Sequence, residues 1–386
     1  MKPISQIVQS TPASGIRAFF DIVAQMDDVL SLGVGEPDFD TPWRVSEACI
    51  YSLERGRTHY TSNYGTPELR AAIADYLRRT ERLRYSPENQ ILITVGVSEG
   101  MDLAMRAILN PGDQVIVPEP SYVSYKPCIR FAGGVPVVVC SSADTGFAVT
   151  PDQIEAAVTD ATKAILLSYP TNPTGAVAAR ETLQEIVRIA CRHDLYIISD
   201  EIYDRLTYDG KHTCIPTLDG AYERTVLLNG FSKAYAMTGW RIGYACGMPD
   251  IIEAMMKVHQ YTMMCAPTMA QVAALEAIKN GYEDSQAMIE QYDQRRRVIV
   301  KGLNDIGLPC LMPGGAFYAF PSIRNTGLSS DEFCERLLFE EKVAMVPGTA
   351  FGECGEGHVR CSYATSIDRI EQAIERTGRF VQRLRT

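Results

Sequence analysis

The segment 229–243 holds an amine and a guanidinium at close spacing behind an apolar run. Lys233 follows the apolar residues 225–229, and Arg241 comes eight positions later. Removal from bulk water lowers the pKa of a lysine and frees a nucleophilic amine, while arginine is a permanent cation suited to a phosphate. The pair therefore indicates an amine that captures a phosphorylated aldehyde. Taken alone, the segment also fits an ordinary junction between a strand and a loop.

Three further polar motifs stand behind apolar runs or near the end of the chain. They are Asn-Pro-Thr-Gly at 172–175, Asp-Glu-Ile-Tyr at 200–203 and Val-Arg-Cys-Ser-Tyr at 359–363. In open α/β sheets, sites form outside the carboxyl ends of the strands. We therefore expect Asn172, Asp200, Tyr203 and Lys233 to converge.

Seven short runs rich in β-branched residues occur between positions 91 and 247, most of them separated by helical patterns. Several are apolar on both faces, as expected for strands covered by helices on either side. The pattern predicts an α/β fold with a mostly parallel, doubly wound, seven-stranded sheet. The runs cover 91–95, 114–118, 135–139, 163–168, 195–199, 225–229 and 241–246.

The pattern changes after position 249 and predicts a second, smaller α+β domain. Helical periodicity is followed by short apolar runs around one further helix, and the chain ends in an amphipathic segment. The predicted helices cover 251–264, 269–280, 285–306, 331–340 and 367–384, and the predicted strands cover 316–321, 343–346 and 358–362.

Composition narrows the class of protein. The chain has 386 residues, of which 46% are hydrophobic, so it can bury a large core. The formal net charge of −10 argues against nucleic acid as a partner. Without a run of 18 apolar residues or a signal peptide, we expect a soluble cytoplasmic protein. The eleven cysteines stand singly, which favours a reduced chain without a disulfide framework or zinc site, and the five histidines lack ligand spacing, so no metal is expected.

The ordered motifs resemble those of class I aminotransferases, pyridoxal-phosphate enzymes of the aspartate-aminotransferase fold type. They run from Gly-Val-Gly-Glu-Pro-Asp-Phe-Asp-Thr-Pro at 33–42 to Arg360, so the resemblance covers nearly the whole chain. The residues at 236–243 and 315–318 are similar to those of the prokaryotic branch that holds aromatic and broad-specificity aspartate aminotransferases. The resemblance implies a large cofactor-binding domain at 46–280. It also implies a small discontinuous domain made of 1–45 and 281–386.

The resemblance assigns the catalytic chemistry to a few residues. Lys233 would form a Schiff base with pyridoxal phosphate and then move the proton at the substrate Cα, and Asp200 would keep the pyridine nitrogen protonated. Asn172 and Tyr203 would donate hydrogen bonds to the phenolate oxygen of the cofactor. Asp200 as a helix cap, Asn172 as a turn residue and Tyr203 as a core residue are the structural alternatives.

The resemblance also assigns the remaining contacts. Tyr122 would stack on the cofactor ring, Tyr60 would reach the phosphate of the neighbouring subunit in a homodimer, and Gly35 and Arg360 would bind the substrate α-carboxylate. In many relatives a hydroxyl residue stands three positions before the lysine, whereas this chain has Gly230, so we expect water or Ser232 to replace that phosphate contact. The phosphate ligands within the subunit would be Gly96, Val97, Ser98, Ser232 and Arg241.

The implied reaction is a ping-pong transamination with 2-oxoglutarate as amino acceptor. The segment 260–270 has no cation, although dicarboxylate-specific relatives often carry a second arginine there, so aromatic or broad specificity that includes aspartate and glutamate is expected. A pyridoxal-phosphate C–S β-lyase is the alternative enzyme. A non-catalytic regulator on the same fold is disfavoured, because the motifs begin at Gly33 and leave no room for a winged-helix segment.

Overall fold

The computed structural model describes residues 2–13 and 26–385. The strands are β1 (Leu30–Ser31), β2 (Ile91–Thr94), β3 (Gln114–Glu119), β4 (Val135–Cys140), β5 (Thr162–Ser168), β6 (Tyr196–Asp200), β7 (Thr225–Gly230), β8 (Gly243–Cys246), β9 (Tyr318–Ala319), β10 (Val343–Ala344), β11 (Val346–Pro347) and β12 (Val359–Ser362). The largest element is a seven-stranded sheet in the order β2-β8-β7-β6-β5-β3-β4. All of its neighbouring strands are parallel except for β8, which is antiparallel to both β2 and β7.

The predicted α/β fold with a mostly parallel seven-stranded sheet is confirmed, and one strand begins two residues later than expected. The run 241–246 forms a strand only from Gly243. Arg241 has a φ of 50°, in the left-handed region that side chains other than glycine rarely adopt, so it turns the chain before the strand begins. Arg241 therefore lies in the loop before the strand and not in the sheet.

Helices cover both faces of the large sheet. Alternate residues of β5 show this, since Ile165 and Leu167 belong to one apolar cluster and Ala164 and Leu166 to another. Within the described ranges no helix is both long and apolar enough to cross a bilayer. The helices are α1 (Gln6–Ser10), α2 (Trp43–Glu54), α3 (Pro67–Thr80), α4 (Gly96–Ile108), α5 (Tyr125–Phe131), α6 (Pro151–Ala157), α7 (Arg180–Arg192), α8 (Pro249–Thr262), α9 (Thr268–Asn280), α10 (Tyr282–Asp305), α11 (Ser330–Glu341) and α12 (Ile367–Leu384).

Two small sheets lie outside the large one. Strands β11, β12 and β9 form an antiparallel sheet, and β1 pairs in parallel with β10. The predicted strand 343–346 is therefore two short strands, because β10 pairs with β1 whereas β11 pairs with β12. The pairing of β1 joins the N-terminal segment to the C-terminal part of the chain. Residues 1 and 14–25 of the predicted range 1–45 lie outside the described residues.

The expectation of a chain without disulfides is wrong at one pair of cysteines. Cys140, the last residue of β4, is bonded to Cys354, and the two Cα atoms are 5.6 Å apart. The pair is 214 positions apart in sequence, so spacing alone did not reveal it. The amide of Ser121 donates to the carbonyl of Phe351, which brings the segment around residue 351 against the end of the large sheet. The other nine cysteines are free.

Candidate active site

A cavity of about 460 Å³ lies at the carboxyl edge of the large sheet. Eleven of the thirteen residues proposed as site residues line it. The other two, Gly96 and Tyr60, do not line it within one subunit. Gly96 packs against the guanidinium of Arg241, and Tyr60 is 80% exposed. The eleven are Gly35, Val97, Ser98, Tyr122, Asn172, Asp200, Tyr203, Ser232, Lys233, Arg241 and Arg360.

Strand direction explains why these residues meet. Strands β5, β6 and β7 are parallel neighbours, so the loops that follow them leave from the same edge. Asn172 follows β5, Asp200 is the last residue of β6, and Lys233 stands three positions beyond the end of β7. The side chains are therefore delivered side by side by three adjacent strands.

Lys233 is partly buried, and a hydrogen bond to the backbone holds its amine in place. Its Nζ atom donates to the carbonyl oxygen of Gly35 over 2.7 Å. Burial lowers the pKa of Lys233 to about 8, with the cation of Arg360 acting in the same direction and the carboxylate of Glu36 opposing it. A lysine with this pKa has a substantial neutral fraction near physiological pH, which a nucleophile or a general base requires.

Asp200 is a buried carboxyl group held at both oxygens. Tyr125 donates its hydroxyl to Oδ2 over 2.8 Å, and the amide of Ile202 donates to Oδ1 over 3.2 Å. Burial raises the pKa of Asp200 to about 6, and the two donors oppose that shift. Across the described ranges no cation forms an ion pair with this carboxylate. The group is thus suited to a cationic ring nitrogen of a ligand.

One corner of the cavity is built for an anion. The 13-residue helix α4 starts at Gly96, so its first amides lack partners within the helix. Gly96 has a φ of 74°, and a Cβ atom there would lie 2.7 Å from Nη2 of Arg241. Only glycine therefore lets the helix start approach this guanidinium. The helix amides, Ser98 and Arg241 together favour a phosphate group.

The glycine three positions before Lys233 also has a structural reason. A Cβ atom on Gly230 would lie 3.0 Å from the Cα atom of Gly243 and 3.1 Å from the carbonyl oxygen of Ile242. The close approach of β7 and β8 thus leaves little room for a side chain at this position. Ser232 lines the cavity instead.

Arg360 is a buried cation without an anionic partner among the described residues. It is 2% exposed, and its Nη1 atom donates to Oδ1 of Asn172 over 2.9 Å. Its Nη2 atom donates to the carbonyl oxygen of Gly33 over 2.5 Å, while the buried Nε atom has no hydrogen-bond partner within residues 2–13 and 26–385. Burial lowers the pKa of Arg360, yet its usual value is so high that it stays charged. A buried, uncompensated guanidinium calls for an anionic ligand.

Some residues that line the cavity were not singled out from the sequence. Tyr318 is the last residue of the motif at 315–318, and Tyr125 stands three positions after Tyr122. Neither position in the sequence indicates a contact with the site. Glu36 stands next to Gly35 in the segment 33–42 and lines the cavity beside Lys233. Only the folded chain brings these three side chains to the cavity.

Comparison with known proteins agrees with this geometry. A sequence model of the family aminotransferase class I and II matches residues 27–376. The Bacillus subtilis protein YugH is 54% identical over 98% of both chains, and an aspartate aminotransferase of Pyrococcus abyssi is 45% identical over 96% of both. The crystal structure of an aromatic aminotransferase from Pyrococcus horikoshii superposes with a TM-score of 0.91. It has 43% identity, and the match covers 95% of this chain and 99% of that one.

The fold and the site define a transferase of the α/β type that acts on amino groups. The chain belongs to the class I and II aminotransferase family. It is an aminotransferase of the aspartate and aromatic type, and members of class I use pyridoxal phosphate.

Proposed function

We propose that this protein transfers the amino group of aromatic and dicarboxylic L-amino acids to 2-oxoglutarate in a ping-pong reaction. The observation that carries the proposal is one cavity that holds both a lysine with a lowered pKa and a buried arginine with no anionic partner among the described residues. The lysine supplies an amine and a base, and the arginine binds a carboxylate. An amino acid presents the complementary pair of groups.

The residues of the cavity fit pyridoxal phosphate. The start of α4 and Arg241 leave no space for a side chain at Gly96, which makes a cradle for the phosphate. Asp200 lines the same cavity, and no cation in the described part of the chain forms an ion pair with its carboxylate. Bound pyridoxal phosphate supplies an aldehyde for amine exchange and a ring that withdraws electrons from the substrate Cα.

The proton transfers fall to Lys233. Its ε-amino group would hold the aldehyde of pyridoxal phosphate, and as a free amine it would accept the proton from the substrate Cα. The carbonyl of Gly35 lies within hydrogen-bond distance of Nζ and holds the amine in the cavity. Asp200 forms no ion pair with a cation among the described residues, and its carboxylate would keep a proton on the ring nitrogen of the ligand.

Arg360 and Asn172 form the clamp for the substrate α-carboxylate. Because Asn172 accepts from Nη1 and the carbonyl of Gly33 accepts from Nη2, the guanidinium is held in one orientation at the wall of the cavity. A fixed carboxylate determines which Cα bond is held next to the amine of Lys233.

An apolar surface that would border the cavity of the neighbouring subunit in a homodimer supports aromatic or broad specificity. Tyr261, Met263 and Met264 are exposed, and the segment 260–270 carries no lysine or arginine. Soft and aromatic side chains accommodate apolar substrates of varied shape. Named relatives and structural neighbours include an aspartate aminotransferase and an aromatic aminotransferase, which supports a substrate range that spans both classes.

The same surface supports a homodimer with shared sites. Tyr60 is exposed in one subunit, and Asn63 donates to the carbonyl of Met264, which places the Tyr60 loop beside the exposed residues Tyr261 and Met263. A cluster of exposed aromatic and methionine side chains is typical of a surface covered by a partner.

Within each subunit we propose a large domain at 46–280 and a small domain made of 1–45 and 281–386. The pairing of β1 with β10 supports this division, because it joins the N-terminal segment to the C-terminal part of the chain.

The test is a panel of amino donors assayed against 2-oxoglutarate, with absorption spectra of the purified protein. We expect a visible band that borohydride removes, formation of glutamate from tyrosine, phenylalanine and aspartate, and parallel lines in two-substrate kinetics. A colourless protein that takes up no pyridoxal phosphate contradicts the proposal. Release of pyruvate and ammonia from a cysteine conjugate without an oxo acid supports a C–S β-lyase instead.

A further inference from the structure

Tyr318 contacts both halves of the proposed site through different parts of one side chain. Its hydroxyl lies 2.7 Å from the hydroxyl of Tyr203, and its ring centroid lies 4.6 Å from the guanidinium carbon of Arg360. Tyr318 is 1% exposed and lines the cavity. One residue therefore links the tyrosine beside the proposed cofactor site to the arginine that binds the substrate carboxylate.

The position of Tyr318 is fixed by its surroundings. It is the first residue of β9, where its backbone pairs with Ser362 of β12, the strand that carries Arg360. A Cβ atom on Gly35 would lie 2.6 Å from the Tyr318 hydroxyl, so only glycine at position 35 leaves room for that oxygen. The ring and the hydroxyl thus have little freedom to move away from Arg360 and Tyr203.

The two tyrosine hydroxyls share one hydrogen bond but carry two protons. Burial raises the pKa of both Tyr203 and Tyr318, so both are neutral near pH 7. Only one proton can lie between the two oxygens, and neither hydroxyl has another hydrogen-bond partner within the described part of the chain. The second proton is therefore available to a ligand in the cavity that both residues line.

We propose that Tyr318 is a positioning residue that directs the hydroxyl proton of Tyr203 into the cavity and supports the guanidinium of Arg360. The inference rests on the proposed function, in which Tyr203 donates to the phenolate oxygen of pyridoxal phosphate. Tyr318 donates to Tyr203, and Tyr203 donates onward. A hydroxyl that accepts a hydrogen bond becomes a stronger donor, so the two bonds reinforce each other.

The hydroxyl and the ring of Tyr318 act on different measurable quantities. A stronger donor at Tyr203 stabilises the deprotonated form of the bound cofactor, which lowers the pH at which its visible absorption changes. The ring face attracts the guanidinium of Arg360, which keeps it in place for the carboxylate that every substrate shares. Two substitutions separate these effects.

The variant Tyr318→Phe removes the hydroxyl and keeps the ring. We expect the pH midpoint of the visible absorption of the enzyme with bound pyridoxal phosphate to rise by about half a pH unit, with KM for amino acids nearly unchanged. Tyr318→Leu also removes the ring, and we expect KM for the amino donor and the Kd of its α-methyl analogue to rise together by about fivefold to tenfold.

Tyr363→Phe is the matched control. Tyr363 is fully buried and donates its hydroxyl to the carbonyl of Ala316, but it does not line the cavity. This variant should leave the pH midpoint and KM unchanged. Thermal unfolding of each variant shows whether it is folded, and Tyr318→Phe keeps the inference testable if Tyr318→Leu unfolds.

An unchanged pH midpoint in a folded Tyr318→Phe enzyme overturns the inference on the hydroxyl, and an unchanged KM in Tyr318→Leu overturns the inference on the ring. Failure of the proposed function looks different. In that case the unmodified protein itself shows no visible band with pyridoxal phosphate and no transamination.

Discussion

Nη1 of Arg360 donates to Oδ1 of Asn172 over 2.9 Å, although 188 positions separate the two residues. Arg360 lies on β12 of a small antiparallel sheet, and Asn172 lies in the loop after β5 of the large sheet. The bond joins the two parts of the molecule at the cavity, so the carboxylate clamp depends on how the small sheet is docked. This relationship makes Arg360 the first residue to test.

Arg360→Lys should raise KM for every amino acid by about 10-fold to 100-fold, because lysine keeps the charge but loses a fixed fork of donors to a buried anion. Steady-state kinetics with tyrosine and aspartate measure the effect. Arg297→Lys is the control, since Arg297 is exposed and pairs with Asp293 on the same helix. Equal KM values in the two variants would place the clamp elsewhere.

Lys233→Ala should lower the transamination rate by at least about 10³-fold, because it removes the amine that both holds the aldehyde and moves the proton. Pyridoxal phosphate should still bind through the remaining contacts. Borohydride reduction should attach the cofactor covalently to the unmodified chain and not to the variant. Mass spectrometry of the two proteins measures this difference. A variant with normal turnover would refute the role given to this lysine.

Asp200→Asn should stabilise the cofactor-free protein at high pH and inactivate the enzyme. Burial raises the pKa of Asp200 from 3.8 to about 6 in the folded state, so the folded chain binds more protons than the unfolded chain between those pH values. Stability of the unmodified protein therefore falls as pH rises through this range, by about 3 kcal/mol for a shift of this size. The variant lacks this fall.

The measurement for Asp200 is denaturant unfolding of cofactor-free protein between pH 4 and pH 7. The variant and the unmodified chain should have nearly equal free energies of unfolding at about pH 4, should diverge progressively up to about pH 6, and should differ by a constant amount above that pH. A difference that does not depend on pH would show that Asp200 is not raised in pKa by burial.

Tyr60→Ala and Lys233→Ala should complement each other if Tyr60 serves the site of the partner. Each variant alone should have little activity at limiting pyridoxal phosphate. Mixed dimers formed by joint refolding contain one intact site, so the mixture should recover about a quarter of the unmodified activity. The mass in solution should be twice 42.7 kDa. Absence of recovery in confirmed mixed dimers would place Tyr60 in its own subunit's site or in neither.

The disulfide predicts a count of thiols. The denatured chain should react at nine cysteines without a reductant and at all eleven after reduction. Cys354→Ser should free Cys140, whereas Cys191→Ser, at an exposed free cysteine, should remove one thiol under both conditions. Eleven reactive thiols in the untreated chain would rule out the bond.

The sequence alone was sufficient for the large sheet and for the group of residues at its edge. Strands buried on both faces read as continuous apolar runs, and the polar residues behind them must meet because parallel strands end together. That local logic predicted that Asn172, Asp200 and Lys233 share a cavity. It required no knowledge of how distant segments pack.

Only the tertiary structure decided the contacts made across long stretches of chain. Tyr318 reaches Tyr203 and Arg360 because β9 and β12 pair and dock on the large sheet, and Cys140 reaches Cys354 for a similar reason. The start of β8 at Gly243 depended on the left-handed turn at Arg241. The spacing of apolar residues predicts which side of a helix or strand is buried. It does not predict which other helix or strand packs there, because that depends on how distant segments dock.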